Sequence, residues 1–348
     1  MRTKLTLVMA VFLLVSLLAA CGGGTGSPAV TPAPNWPKAM SIGTGNPGGE
    51  QCPIGVGMAD LITRYTGVPT TAECGGGSGA NLNLLAKKEV ELAIIANPVT
   101  FPAYRGIDDY QKTGPVPLRT ISTGHEGVYQ MAVRADSKIF TPADFKGKRF
   151  MWDWKGSPHS QAVAVAILEA YGLTTKDVIT QPLVACTESA QALKEGTTDI
   201  MIFPGGFNSS CWQELSLSIP IRFIGLSGEA MNYIHKKLPY FATKVMPANT
   251  YRDQTQPLNC PTNFVSFYSL DALPEDLAYA VTKAIYDHWD QFAMYHETCK
   301  QWTLQRAVEN PAVPYHAGSV RYYKEKGVWT AEVQKTQDEQ LAEMKQAK

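Results

Sequence analysis

Glycine clusters are the residues in this chain with the clearest capacity for chemistry, and that chemistry is binding. The first runs Gly43-Thr44-Gly45-Asn46-Pro47-Gly48-Gly49 and the second Gly75-Gly76-Gly77-Ser78-Gly79. Gly156-Ser157-Pro158-His159-Ser160 and Gly205-Gly206-Phe207-Asn208 follow. Each stands at the carboxyl end of a strand-like run, the edge at which α/β sheets bind ligands. Glycine lets the backbone approach a ligand closely, and a helix behind it offers unpaired N–H groups to an anion. Gly43, Gly45 and Gly48 also satisfy the bare Gly-x-Gly-x-x-Gly spacing of a dinucleotide site. The helix after them is delayed, however, and Thr63 and Arg64 stand where an acidic ribose ligand belongs, so no nucleotide cofactor is expected. Amides and short hydroxyls in this arrangement suit a small carboxylate.

Catalytic constellations are missing from the pattern. Gly77-Ser78-Gly79 lacks the Gly-x-Ser-x-Gly spacing of a nucleophile elbow, and the histidines form no His-Glu-x-x-His. His125-Glu126 is an adjacent pair whose members point in different directions in a strand. The expectation is a binding protein, not an enzyme, with no cofactor and no metal.

The start of the chain and its cysteines set the compartment. Residues 1–20 read as a secretory signal peptide, with Arg2 and Lys4 before an apolar run that ends in Leu18-Ala19-Ala20-Cys21. The small residues before Cys21 resemble a bacterial lipobox, whose cysteine becomes the acylated first residue of the mature chain. The apolar run is shorter than the ~20 residues a bilayer-spanning helix needs. Cys52, Cys74, Cys186, Cys211, Cys260 and Cys299 remain, an even number suited to disulfides in an oxidising compartment. Six cysteines allow fifteen pairings. Pairing of sequence neighbours would give Cys52–Cys74, Cys186–Cys211 and Cys260–Cys299, each worth about 3–4 kcal/mol in loop-closure entropy. None is spaced with another cysteine or a histidine like a zinc module.

Removing residues 1–20 leaves 29 basic against 31 acidic side chains, a net charge of −2. That balance gives no footprint for a phosphate backbone, and nucleic acid is not an expected partner. With 45% apolar and 18% charged residues, the chain has globular composition and the length for two domains.

The elements that must position these loops alternate. Residues 21–38 are a Gly/Ser/Thr/Pro-rich flexible spacer. Strands are expected at 39–43, 68–72 and 90–96, with helices at 53–65 and 78–88 between them. A second unit follows, with strands at 128–134, 148–154, 199–204 and 221–226 and helices at 159–171 and 188–195. Residues 239–261 read as a connection, 263–269 as a strand and 274–308 as a long helical region. The alternation predicts an α/β architecture with largely parallel sheets.

Four segments together resemble the TAXI family of solute-binding proteins, which serve tripartite ATP-independent periplasmic (TRAP) transporters. They are Ile42-Gly43-Thr44-Gly45 through Pro53-Ile54-Gly55; Gly77-Ser78 with Asn81 and Leu84-Leu85; Asp144-Phe145-Lys146-Gly147-Lys148-Arg149 with Gly156-Ser157; and Pro314-Tyr315-His316-Ala317-Gly318-Ser319 with the Arg321 to Gly327 run. The resemblance implies a type II periplasmic-binding-protein fold: two lobes, 39–131 plus 265–345 and 132–264, with a central cleft and hinge strands. It implies glutamate-like or dicarboxylate solutes and binding positions at Thr44, Gly45, Gly49, Glu50, Gln51, Cys52, Gly77, Ser78 and Asn81, with Trp154, Ser157 and Phe207 from the second lobe. Glu50-Gln51-Cys52 departs from the Thr-Tyr-Tyr often found there, and a carboxylate at Glu50 would repel an anion unless it faces away or the solute carries an amine. Trp152 is a further candidate for an apolar wall. Arg134 and Lys155 are candidates for pairing with a solute carboxylate. The expected protein is a lipid-anchored receptor on the periplasmic or cell-surface face of a membrane, delivering an organic acid or amino acid to permease subunits. A ligand-sensing subunit with the same fold is the alternative.

Overall fold

The computed structural model describes residues 32–45, 47, 50–153, 157–183, 185–207 and 209–346. The expected signal peptide, Cys21, most of the spacer, Gly49, Trp154 and Lys155 lie outside the described residues. No helix among the described residues is long and apolar enough to cross a membrane.

Parallel strands β1 (Met40–Thr44), β2 (Thr70–Cys74) and β3 (Leu92–Ala96) alternate with α1 (Gln51–Thr66), α2 (Ser78–Ala86) and α3 (Asn97–Arg105). The β3 run Leu-Ala-Ile-Ile-Ala is buried throughout, as a strand covered on both faces must be. Then comes β4 (Leu118–Arg134), followed by β5 (Arg149–Asp153), α4 (Pro158–Ala170), β6 (Ile179–Pro182), α5 (Cys186–Glu195) and β7 (Ile200–Gly205). Next are α6 (Ser210–Ser218), β8 (Ile221–Phe223), α7 (Gly228–Lys237), β9 (Ala242–Met246) and β10 (Leu258–Leu270). The chain closes with α8 (Glu275–Tyr286), α9 (Trp289–Phe292), α10 (Ala317–Glu325) and α11 (Ala331–Gln346).

The strand order is β2-β1-β3-β10-β4-β7-β5-β6, with β8 on β4 and β9 on β10. Two long strands carry the chain between halves. The first part of β4 pairs with β10 from Leu118↔Leu270 to Gly127↔Asn263, and its last part pairs with β7 from Val128↔Gly205 to Val133↔Ile200. Strand β10 likewise begins against β9 and ends between β3 and β4. Apolar burial divides the same way: Ile42, Leu61, Ile94, Phe267 and Trp302 share one core, while Phe150, Ile167, Ile202 and Ile234 share another. The result is two lobes joined by crossing strands.

Several expectations are corrected. The sheet is mixed, because β4 and β10 run antiparallel to each other and to their neighbours β3 and β7. The long helix expected at 274–308 ends at Tyr286, and 3-10 turns at Glu297–Gln301 and Arg306–Val308 follow the short α9. The connection expected at 239–261 contains β9 and the start of β10. Cys52–Cys74 and Cys186–Cys211 are bonded, with Cα separations of 5.3 and 6.2 Å. Cys260 and Cys299 are free and buried. They cannot pair, because Cys260 packs in the second lobe with Trp212 and Met246 while Cys299 packs in the first with Trp302.

Candidate functional site: the cleft between the lobes

A cavity of about 1700 Å³ separates the lobes, and the loops after β1, β2, β5 and β7 converge on it. The N-termini of α1, α2, α4, α5 and α6 all border it, through Gln51, Ser78, the N-cap residue Ser157, Cys186 and Ser210. None of these five helices has a side chain capping its N-terminus. Elsewhere, Ser227 Oγ accepts from Ala230 N to cap α7, and His316 Nδ1 accepts from Gly318 N to cap α10. Helix α8 is uncapped away from the cavity too, so the distinguishing feature is convergence: helix starts without a side-chain cap border one space from both lobes.

The disulfides fasten this rim. Cys52–Cys74 joins the first turn of α1 to the end of β2, and Cys186–Cys211 joins the N-termini of α5 and α6. One bond therefore braces the cleft in each lobe.

Of the residues singled out in the sequence, Gly45, Glu50, Gln51, Gly77, Ser78, Ser157 and Phe207 line the cavity. Thr44 does not. A Cβ on Gly55 would sit 2.2 Å from Thr44 Cγ2, so the methyl fills a notch in α1 while Oγ1 donates to Glu73 O at 3.2 Å. Asn81 is also underneath: its Nδ2 donates to Thr44 O and Ile94 O, both at 3.0 Å, and ties the ends of β1 and β3 together. Trp152 is buried in the second-lobe core rather than forming a wall of the cleft. Arg134 is a correction. It sits at the far end of β4 beside β8, donates to Lys194 O at 3.1 Å and pairs with Asp136, so it cannot meet a solute in the cleft.

Glu50 faces the cavity and is engaged. His125 Nε2 lies 3.1 Å from Glu50 Oε1, and Thr298 Oγ1 donates to Oε2 at 2.8 Å. Burial would raise its pKa, but the His125 contact, the Thr298 bond and nearby His296 outweigh that and hold the carboxyl at about 2. Trp302 Nε1 donates to His125 Nδ1 at 3.2 Å. In the second lobe Ser157 Oγ is 3.1 Å from His159 Nε2 and 2.8 Å from Ser160 Oγ, which in turn meets Tyr129 OH at 2.9 Å. Burial lowers the His159 pKa to about 4, leaving a neutral imidazole at neutral pH. Lys300 borders the cavity and pairs with Glu297 at 2.7 Å.

Sequence reasoning missed His125, Glu126, His296 and Thr298 as cavity residues, while His159 came in with its glycine cluster. The β4 ladder explains the first two. Phe264 pairs with Glu126 and Ser266 with Thr123, so Gly124 and His125 together face the single Val265. Such a bulge re-aims side chains, and both His125 and Glu126 reach the cavity while engaging different partners. His296 and Thr298 were hidden inside the stretch expected to be helix. The one available signal was the helical apolar stripe ending at Ile285, before Asp287 and His288.

Comparison with known proteins places this architecture. PhnD1 from Prochlorococcus marinus, solved with methylphosphonate, is similar at a TM-score of 0.50 and 9% identity, over 76% of this chain and 91% of that one. A TctC solute-binding protein from Polaromonas gives 0.50 and 12%, over 77% and 87%. The periplasmic aliphatic sulphonate binding protein SsuA from Escherichia coli gives 0.45 and 16%, over 87% and 85%. The first two show the solute-binding-protein fold. The profile of the NMT1-like family matches residues 42–327, most of the sequence, and the chain belongs to that family.

Proposed function

We propose that this chain is an extracytoplasmic solute-binding receptor, tethered by lipid at Cys21, that captures a small organic acid or amino acid for a TRAP-type permease. The observation that carries the reading is the convergence of uncapped helix N-termini from both lobes on one cleft. Amides at such termini neutralise a small anion without a dedicated cation, and PhnD1, which shares the fold, was solved holding one. The TAXI-like segments support the permease assignment, and the pattern of residues 1–21 supports export and acylation.

The lobes, 39–131 plus 265–345 and 132–264, would close on solute by bending where β4 and β10 cross. Binding stabilises the closed form through its differential affinity for it. Thermal-shift screening of the full-length protein against amino acids, keto acids and C4–C6 dicarboxylates tests the solute class, with at least one acid expected to raise the Tm. The best binder should also reduce the radius of gyration in solution scattering. Tight binding with unchanged compactness would sink the hinge. Incorporation of labelled palmitate, lost in Cys21→Ser, tests the anchor.

A further inference from the structure

We propose, resting on the receptor reading above, that the solute carries a protonated amine as well as an acid group, and that Glu50 is the carboxylate that receives the amine. Glu50 lines the cavity with its side chain 48% exposed, and each of its oxygens has one partner, His125 or Thr298. An ionised carboxylate offers about four acceptor sites. The Thr298 hydrogen bond and the His125 contact therefore orient the group and leave acceptor capacity in the cleft it lines. The support behind them is rigid: His125 is buried, and its other nitrogen is held by the indole of fully buried Trp302.

The charges around the cavity point the same way. Its described lining carries the carboxylates Glu50, Asp108, Asp109, Glu126 and Glu297, against the ammonium of Lys300 and the imidazoles of His125, His159 and His296. Lys300 is engaged by Glu297, while Glu126 is matched by Lys244 and Arg306 from outside the lining. A solute with two carboxylates would add negative charge to a partly desolvated space that already holds an excess of it, and like charges there repel strongly. A zwitterion adds none. Its carboxylate takes the amides of α2 and α6, and its ammonium takes Glu50, whose carboxyl stays ionised at physiological pH. A charge-assisted hydrogen bond to a held carboxylate is worth about tenfold or more in affinity.

Titration calorimetry on the full-length protein with three matched pairs tests this: glutamate against glutarate, leucine against 4-methylpentanoate, alanine against propionate. The expected result is a tightest binder that carries the amine and exceeds its deaminated partner by at least tenfold. Glu50→Gln should abolish that gap and leave the deaminated partner's affinity equal or higher, because a repelling charge is gone, while Glu50→Asp retains part of the gap. Melting curves of both variants verify that they are folded. A deaminated acid that binds as tightly as its amine partner overturns the proposal, as does a gap that survives in folded Glu50→Gln. Binding of none of the six overturns the acid-receptor reading itself and this proposal with it.

Discussion

Trp302 Nε1 donates to His125 Nδ1 at 3.2 Å, and that bond decides which edge of the imidazole meets Glu50. An acceptor at Nδ1 leaves the ring proton on Nε2, 3.1 Å from Glu50 Oε1. The indole can stand there because position 124 is glycine: a Cβ on Gly124 would lie 2.2 Å from the Trp302 ring. The β4 bulge, the tryptophan and the orientation of the cleft carboxylate are thus one unit.

Removing the indole donor while keeping an aromatic ring isolates that unit. Trp302→Phe leaves a buried imidazole nitrogen unpaired and should cost about 1–3 kcal/mol. Gly124→Ala forces the ring aside and should cost at least as much, about 1–3 kcal/mol by overpacking. Urea denaturation midpoints measure both. A neutral Gly124→Ala would show that the ring has room to move.

The six described cysteines divide into two bonded pairs and two buried thiols, and alkylation distinguishes them. Burial pushes the Cys260 and Cys299 thiols up to about 12, so neither should react in the native protein. Both should label in denaturant without reductant, and the Cys52, Cys74, Cys186 and Cys211 peptides should label only after reduction. Opening Cys52–Cys74 with paired serines should cost about 3 kcal/mol for its 22-residue separation. Solute affinity should fall as well, because α1 loses its brace at the rim.

Arg134 shows why part of the site was legible and part was not. Loop glycines and helix starts are local features, and they placed Gly45, Gly77, Ser78 and Ser157 at the cavity. A charge in a strand carries no local mark of which end of the sheet it will reach. Residues 118–127 gave no strand expectation because their polar residues, among them Arg119, Thr120, Ser122 and Thr123, are buried by pairing with β10 from a distant part of the chain. The third disulfide failed for a related reason: sequence proximity of Cys260 and Cys299 says nothing about a chain that changes lobes between them. Arg134→Ala should leave solute affinity within about twofold, because its partners Asp136 and Lys194 O lie outside the cleft. A tenfold loss would return Arg134 to the site.

Stability should fall in two stages on acidification. His159 sits at about 4 in the fold against an ordinary 6.5, so the unfolded chain binds more protons between those values. Its contribution is complete above pH 6.5 and is lost as the pH falls towards 4. Glu50 and Asp287 both sit at about 2; burial opposes this, but His125 and Thr298 in one case, and Lys283, Lys326 and Tyr322 in the other, prevail. Their contributions are complete above the ordinary carboxylate range and are lost as the pH falls towards 2. Melting temperature against pH should show both limbs. His159→Asn should flatten the upper one alone.

Glu126 carries the cost of a charge placed where the strands cross. Its side chain is 6% exposed and its Oε1 meets Lys244 of β9 at 2.9 Å and Arg306 of the 3-10 turn after α9. Lys244 is 40% exposed and can be hydrated without the carboxylate, whereas Glu126 cannot. Substitutions at the triad should therefore be unequal. Glu126→Gln removes both pairs and leaves Arg306, at 19% exposure, without its carboxylate, while Arg306→Met leaves the more deeply buried carboxylate with one half-hydrated partner. Breaking one side of a buried pair costs about 3–5 kcal/mol, so Arg306→Met should be the more damaging in urea denaturation, and adding Glu126→Gln to it should restore stability rather than lower it further. A double variant weaker than either single one would mean that shape, not charge, governs this contact.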